Sequence, residues 1–345
     1  MGRKPTVNNN LPPHMRKRVK PSGKTYYYFD TGEKPRREIP LGDDYILALK
    51  KYADLHVMAA PKHEPTMADV IKRYRAEEIP KKAVNTIRVQ TADLKHLESY
   101  FCTPPAPLES LEPQHIHKFL QSRKDKPTTA NRCKRLFSAM WNMARAWGYT
   151  NKANPCTGIA GFSLGKREVY ITDAVLKAVK ACASEPLKDA LDLAYLTGQR
   201  PADALRMRNE NIADGYLLVD QGKTQKKLRI SITGQLAELL GKIIVRKAQH
   251  KIIHGQLLMN RDGMPLTKAV MRKHFEAARI KAAENNPELA EEIKAFWFYD
   301  LRAKAADDTA SDRGEMAASN LLGHDSVRTT QRHYLRRGKV VEPTK

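Results

Sequence analysis

The sequence predicts a mainly α-helical protein with small β elements (α+β), and three observations lead there. Apolar residues recur at helical spacing through most of the chain after Thr66. Short alternating runs bounded by turn residues are confined to the first 42 residues and to Tyr216–Ile232. Finally, 345 residues, 41% of them hydrophobic, suffice for two or three buried cores rather than one. The boundaries read as 1–64, 65–160 and 161–345.

The first domain opens with basic residues. Ten of its first 42 residues are Lys or Arg, against Asp30, Glu33 and Glu38. Met15–Lys20, Lys24–Asp30 and Pro35–Leu41 are expected as three short strands, turning at Pro21-Ser22-Gly23 and Asp30–Glu33. Tyr26, Tyr27, Tyr28 and Phe29 make the middle strand aromatic on both faces. One face is expected to pack on a helix from Asp43 to about Met58, through Ile46, Leu49, Tyr52, Ala53 and Leu55. The other face is left for a polyanion, as is the arm carrying Arg3 and Lys4, and Arg16, Lys17 and Arg18 on the first strand are further candidate contacts.

After a linker over 59–65, Thr66 with Asp69 three residues on marks a helix start. Helices are expected near 66–78, 86–101, 113–124 and 128–147. In the last, Cys133, Leu136, Phe137, Met140, Trp141, Ala144 and Trp147 form one stripe before Gly148, so these aromatics are core. Lys126, Arg132, Lys134 and Arg135 fall on or near the exposed side and suit phosphate contacts. A second linker covers 154–167. Beyond it Thr172 caps a helix, two strands (Tyr216–Asp220, Leu228–Ile232) flank Lys223, and helices follow near 234–247, 267–283, 286–294, 299–311, 314–322 and 327–335.

Composition narrows the class of partner. Lys and Arg number 61 against 38 Asp and Glu, a formal charge of +23. That excess points to nucleic acid. No apolar run approaches the roughly 20 residues of a membrane span, no signal peptide opens the chain, and no basic amphipathic helix offers a Trp/Phe face, so no membrane partner is expected. Cys102, Cys133, Cys156 and Cys182 have no zinc spacing and form no Cys-x-x-Cys pair, and no His-Glu-x-x-His occurs. They read as reduced packing residues, and neither metal nor cofactor is expected.

Three stretches carry chemistry. In Leu196–Leu205 an apolar helix runs into Thr197-Gly198, and Pro201 begins a new one. Arg200 then lies in a tight inter-helix turn, with Asp203 one turn on to orient its guanidinium. Phe298-Tyr299-Asp300-Leu301-Arg302 sets another arginine at the head of a helix. Two fixed arginines can clamp one phosphate bidentately, and Gly222–Lys227, a hairpin tip with Lys223, Lys226 and Lys227, can bring a lysine onto it. The third stretch, Leu321–Tyr334, holds His324 after a Gly step and one tyrosine, Tyr334, among Arg328, Arg332, Arg336 and Arg337. A phenol titrates near 10, so attack by Tyr334 at neutral pH needs help from its surroundings.

Thr197-Gly198-Gln199-Arg200, Gln221-Gly222-Lys223-Thr224, Tyr299-Asp300-Leu301-Arg302, Leu322-Gly323-His324 and Tyr334 occur in the order and approximate spacing of the tyrosine recombinases. The whole chain resembles the lambda-type phage integrases. The resemblance implies an arm-site DNA-binding domain, a helical core-binding domain and a mostly helical catalytic domain. It implies strand exchange on double-stranded DNA at core and arm sites by a homotetramer, through a 3′-phosphotyrosyl intermediate and a Holliday junction. Integration and excision of a mobile element, accessory DNA-bending and excision-directing proteins, and work in the host cytoplasm and nucleoid go with it.

By the same resemblance Tyr334 attacks, Arg200, Arg302 and His324 hold the phosphate, Lys223 protonates the leaving oxygen, and Asp203 supports Arg200. Two positions depart from the pattern. Tyr299 stands where histidine is usual, and a tyrosine is a weak base near pH 7. Tyr334 follows His324 by ten residues rather than the frequent nine, where His333 stands. The alternatives are a transposase or resolvase of the same chemistry, or a DNA-binding regulator that keeps the fold without activity. The tail Leu335–Lys345, whose adjacent apolar pair is Val340 and Val341, is expected to dock on a neighbouring copy.

Overall fold

The computed structural model describes residues 11–59, 64–250, 254–338, 341, 343 and 344. The chain divides into two compact units, 1–164 and 165–345. The first contains two separate hydrophobic cores, one under a small sheet and one among helices.

The sheet core begins with β1 (Met15–Val19), β2 (Thr25–Asp30) and β3 (Glu38–Gly42), an antiparallel meander with Met15 opposite Phe29 and Phe29 opposite Ile39. A bulge at Tyr27/Tyr28 shifts the register to β3. The third strand starts at Glu38 rather than Pro35, as suits a residue that cannot donate to a ladder. α1 (Tyr45–Ala59) covers one face with Ala48 and Tyr52, which pack with Met15, Phe29 and Leu41. The expected apolar face is therefore corrected. Ile46 is 77% exposed and Ala53 is exposed, because the buried stripe runs Ala48–Tyr52–Leu55. The small Ala48 side chain sets that register, since it lets the helix backbone approach the sheet.

The helical core comprises α2 (Met67–Glu77), α3 (Val84–Phe101), α4 (Pro113–Gln121) and α5 (Pro127–Ala146). Thr66 and Asp69 form a reciprocal capping box at the head of α2, with the Thr66 N–H donating to Asp69 at 2.9 Å. On α5, Cys133, Leu136, Phe137, Met140, Trp141 and Ala144 are all buried, and Phe137 stacks on Trp141 with ring centroids 6.0 Å apart. Trp147 is only half-buried and holds the Arg73 guanidinium 4.5 Å above its ring.

The second unit runs α6 (Asp173–Ala181), capped by Thr172, then α7 (Glu185–Thr197) and the four-residue α8 (Pro201–Ala204). A small antiparallel sheet follows: β4 (Ile212–Ala213), β5 (Tyr216–Asp220) and β6 (Lys227–Ser231). The two-residue β4 is too short for an alternating pattern to announce it. Next come α9 (Gly234–Gln249), α10 (Lys268–Asn285), α11 (Ala290–Ala295), α12 (Asp300–Arg313), α13 (Glu315–Leu322) and α14 (Val327–His333). The helix expected over 286–294 is instead a 3-10 turn over Pro287–Leu289, opened by its proline, followed by α11. α12 is central to the unit, with nine of its residues buried, and a satellite cluster of Ala303, Ala306, Ala318, Leu322 and Tyr334 sits on it.

No described helix is long and apolar enough to cross a membrane. All four cysteines are free, two buried and two half-buried. Arg3 and Lys4, the linker residues 60–63 and Val340 lie outside the described residues, while Val341 is 78% exposed.

Candidate active site

Two glycine turns bring the site together. Gly198 ends α7 at φ +64° and Gly323 ends α13 at φ +68°, a conformation that L side chains rarely adopt. A Cβ at Gly198 would stand 3.1–3.2 Å from Leu321 and Leu322, and one at Gly323 would stand 2.9 Å from Gln221. Both turns thus need glycine for conformation and for close approach.

Between these turns lies Arg302, from the first turn of α12. It is 1% exposed and has no carboxylate against it among the described residues. Its Nη1 donates to the Gly198 carbonyl at 2.7 Å, and its Nη2 donates to the Leu322 carbonyl at 2.8 Å and to His324 Nε2 at 3.2 Å. Its Nε has no partner. Burial draws its pKa down, but a guanidinium stays charged in proteins. A buried cation held only by carbonyls and an imidazole is costly unless an anion completes it. Arg200, at the N-terminus of α8, donates to Gln221 Oε1 at 3.2 Å.

Asp203 pairs with Arg200 as expected and has further partners. It lies 3.7 Å from Arg200, and its close partners are Arg206 and the Gly222 N–H at 3.0 Å. One carboxylate oxygen faces Arg200 while the other takes Arg206 and the hairpin N–H. Asp203 therefore fixes the turn that bears Lys223. Lys223 itself is exposed at the hairpin tip and has no partner among the described residues, while Lys226 pairs with Asp325 beside His324.

His324 is fixed from both sides. A guanidinium can only donate, so Nε2 accepts from Arg302 and the ring proton belongs on Nδ1, which donates to Thr330 Oγ1 at 2.8 Å. Burial, then the charges of Arg302, Arg200 and His333, hold its pKa down to about 4, so the imidazole is neutral at pH 7.

Tyr334 caps the end of α14 and is 8% exposed. Its ring lies 5.1 Å from the Arg302 guanidinium and 5.0 Å from the His324 ring. Its oxygen is 2.8 Å from the Tyr299 hydroxyl. Burial alone would raise the Tyr334 pKa, but the Tyr299 hydrogen bond and the charges of Arg302 and Arg200 together hold it below the ordinary phenol value. Burial, then the bond to Tyr334, pushes Tyr299 above it.

The cations expected around Tyr334 from its own helix are a correction. Arg328 and Arg332 are exposed, Arg336 donates to Asp300 Oδ1 at 2.7 Å, and Arg337 lies over the Tyr170 ring at 4.4 Å. Side-chain direction explains this, because buried acceptors on α12 capture the residues that follow the tyrosine. Asp300, fully buried, also takes Arg167 Nε at 2.8 Å and the Trp297 N–H at 2.8 Å. Asp307 accepts the N–H of Arg336 at 3.0 Å on both oxygens and that of Arg337 at 3.2 Å. The chain leaving Tyr334 is therefore latched to α12.

Sequence reasoning gave no role to Gln199, Gln221, Thr330, Asp300 or Asp307. Gln221 is the hub of the site. It donates to Gln199 Oε1 at 2.7 Å and to the Leu322 carbonyl at 2.9 Å, and accepts from Thr224 at 2.6 Å. The signal available was polarity at positions flanking a glycine turn. Arg200 and Arg302 form a cradle suited to a tetrahedral anion, held in place by Gln221 and His324 as acceptors, with the Tyr334 phenol beside Arg302.

The other candidates lie in the first unit. Arg16 pairs with Asp30 at 2.8 Å, Arg18 pairs with Glu38 and lies 5.1 Å over Tyr28, and Lys20 lies 4.8 Å over Tyr26. Lys17 is exposed on the adjacent register position. On α5, Arg132 is held bidentately by buried Asp93 at 2.7 and 3.0 Å, and Lys134 donates to the Ile159 carbonyl. Arg135 is exposed with no partner among the described residues.

Residues 170–339 match the phage integrase family. The integrase of Escherichia phage lambda is 26% identical over 94% of both chains, as is that of Enterobacteria phage 434. Among solved structures, a lambda integrase dimer bound to a COC′ core site aligns with a TM-score of 0.66 at 22% identity, over 98% of this chain and 99% of that one. The Tn1549 transposon integrase in complex with transposon right end DNA aligns at 0.64 and 16% identity, over 80% and 96%.

Proposed function

We propose, from the premise that this chain is a tyrosine recombinase of the phage integrase family, that it integrates and excises a mobile element by cutting and rejoining double-stranded DNA through Tyr334. The chain is a site-specific recombinase of the phage integrase type. The finer reading rests on one observation above the others: the Tyr334 oxygen is sequestered beside a buried arginine that no carboxylate neutralises.

In this reading Arg200 and Arg302 take the non-bridging oxygens of the scissile phosphate. Bringing preorganised charge to where charge accumulates is the main resource for a phosphoryl transfer. Tyr334 Oη bonds to phosphorus as the P–O5′ bond breaks, and Lys223 gives its proton to the departing 5′-oxygen. No existing bond of Lys223 among the described residues has to be broken first. The 3′-phosphotyrosyl link conserves the bond energy for religation to a partner strand, through a Holliday junction in a homotetramer. His324, neutral and accepting from Arg302, fixes that guanidinium rather than holding the phosphate itself, because its one N–H is given to Thr330.

The sheet would hold arm sites through Arg16 and Arg18 on the face away from α1 and through exposed Lys17 on the edge strand β1, together with Arg3 and Lys4. The helical domain would hold the core site, with Arg135 the free phosphate contact and Arg132 and Lys134 held by Asp93 and Ile159. The solved lambda integrase tetramer bound to a Holliday junction supports the tetramer reading, and DNA-bending and excision-directing proteins would act on the arm complex. The test uses nicked suicide duplexes tiled over the DNA adjoining the gene. The wild-type chain is expected to form a covalent adduct, and Tyr334→Phe to bind equally but form none. An adduct in Tyr334→Phe would move the nucleophile elsewhere.

A further inference from the structure

The hydroxyls of Tyr299 and Tyr334, 2.8 Å apart, form a phenol pair in which one must donate and the other accept. The surroundings decide which. Tyr334 is faced by Arg302 on α12, by Arg200 at the head of α8, by neutral His324 after α13, and by Tyr299 itself. Asp300 and Asp307, on the same helix as Arg302, are turned to Arg167, Arg336 and the N–H groups of 336 and 337. Negative charge is therefore favoured on the Tyr334 oxygen. Tyr299 is 40% exposed and sits just before α12, where its carbonyl accepts the Arg302 N–H at 3.2 Å. Its backbone is further fixed by its neighbour Asp300, whose carboxylate receives the Trp297 N–H and both Arg167 and Arg336.

We propose that Tyr299 is a positioning residue for Tyr334: its hydroxyl donates to Tyr334 Oη and holds that oxygen, as phenolate, toward the phosphate cradle. The proposal rests on the reading of Tyr334 as the nucleophile, and it assigns Tyr299 the part of donor, the reverse of a general base. The chemistry then balances without a base in the site. Tyr334 releases its proton to water before attack. Its oxygen then forms the bond to phosphorus while the P–O5′ bond breaks, and the electron pair leaving with O5′ takes up the Lys223 proton. In religation the 5′-hydroxyl attacks, returns its proton to Lys223, and Tyr334 departs as the phenolate that Tyr299 already stabilises. One hydrogen bond thus serves a nucleophile in one direction and a leaving group in the other.

The test needs no DNA, so it fails independently of the recombinase reading. 3-Fluorotyrosine is placed at position 334 of the full chain, and its ¹⁹F shift is followed against pH. A hydrogen bond to a charged oxygen is strong enough that Tyr299→Phe should raise the titration midpoint by about one pH unit or more. Tyr299→His, which keeps an N–H donor, should fall between the two. An unchanged or lowered midpoint in Tyr299→Phe overturns the proposal. Should that variant not fold, fluorotyrosine placed singly at 299 and at 334 of the otherwise native chain decides it. Position 334 must titrate first, and the opposite order overturns the assignment. A wild-type chain that forms no adduct on any duplex would sink the enzymatic reading while leaving this titration intact.

Discussion

Arginine is used in opposite ways at the two ends of the chain. On the amino-terminal sheet, Arg16, Arg18 and Arg36 form a chain of alternating charge with Asp30 and Glu38, and the Arg18 side chain remains 62% exposed. In the carboxy-terminal unit Arg302 is almost wholly buried and meets only carbonyls, an imidazole and a phenol ring. Exposed pairs contribute about 0–1 kcal/mol each and are screened by salt. A buried cation without a counter-ion costs several kcal/mol. The sheet arginines are therefore held at the surface at little cost to the fold, as the proposed arm-site contact would need. The fold tolerates Arg302 because backbone carbonyls aim at it, and in the proposed reading an incoming phosphate offsets that desolvation.

The comparison is broken most severely at Arg302. Arg302→Ala should lower the single-turnover cleavage rate by a factor of about 10²–10³ or more, and Arg302→Lys should not restore it, because an ammonium cannot bridge Gly198, Leu322 and His324 in one plane. A variant that still cleaves within tenfold of wild type would show the buried charge to be structural.

A smaller effect is expected where the chain leaves Tyr334. Arg336→Ala removes one of the two guanidiniums on buried Asp300 and leaves Arg167 in place. Stability should fall by about 3 kcal/mol, the low end for breaking a buried pair, as read by urea unfolding. Cleavage should fall further than binding, because the latch also sets where Tyr334 sits. Equal losses in both would make Arg336 a packing residue only.

The smallest effect belongs to the sheet. Arg18→Ala should change stability by no more than about 0.5 kcal/mol, yet reduce the slope of log affinity against log salt for arm-site DNA by about 0.9. Deleting residues 1–64 should leave cleavage of core sites but remove efficient recombination on substrates with distant arms. Full recombination by the truncated chain would remove the arm-binding role.

The same contrast explains what was legible in the sequence. Local chemistry announces itself: Thr66 and Asp69 cap α2, Gly198 and Gly323 end their helices, and the stripe on α5 is core, because each needs only neighbours a few residues away. Side-chain direction across long separations does not. Arg336 points to Asp300, 36 residues earlier, Arg132 points to Asp93, and Asp203 serves the hairpin 19 residues on. These choices are made by buried acceptors that come near only after folding. Gln221 was quoted in its motif but given no role, since a neutral amide carries no charge pattern. Ile46 failed for a related reason: apolar residues lie on more than one side of α1, and the sheet selected the side with Ala48 and Tyr52 while Ile46 and Leu47 stayed exposed.

The central claim is that the phenol beside the un-neutralised arginine is the one that attacks DNA. The most direct measurement is to digest the covalent adduct trapped on a nicked suicide duplex and identify by mass spectrometry the residue that carries the nucleotide. The account predicts a 3′-phosphate esterified to Tyr334 alone. A nucleotide on Tyr299, or a 5′-linked phosphate on any residue, would contradict it.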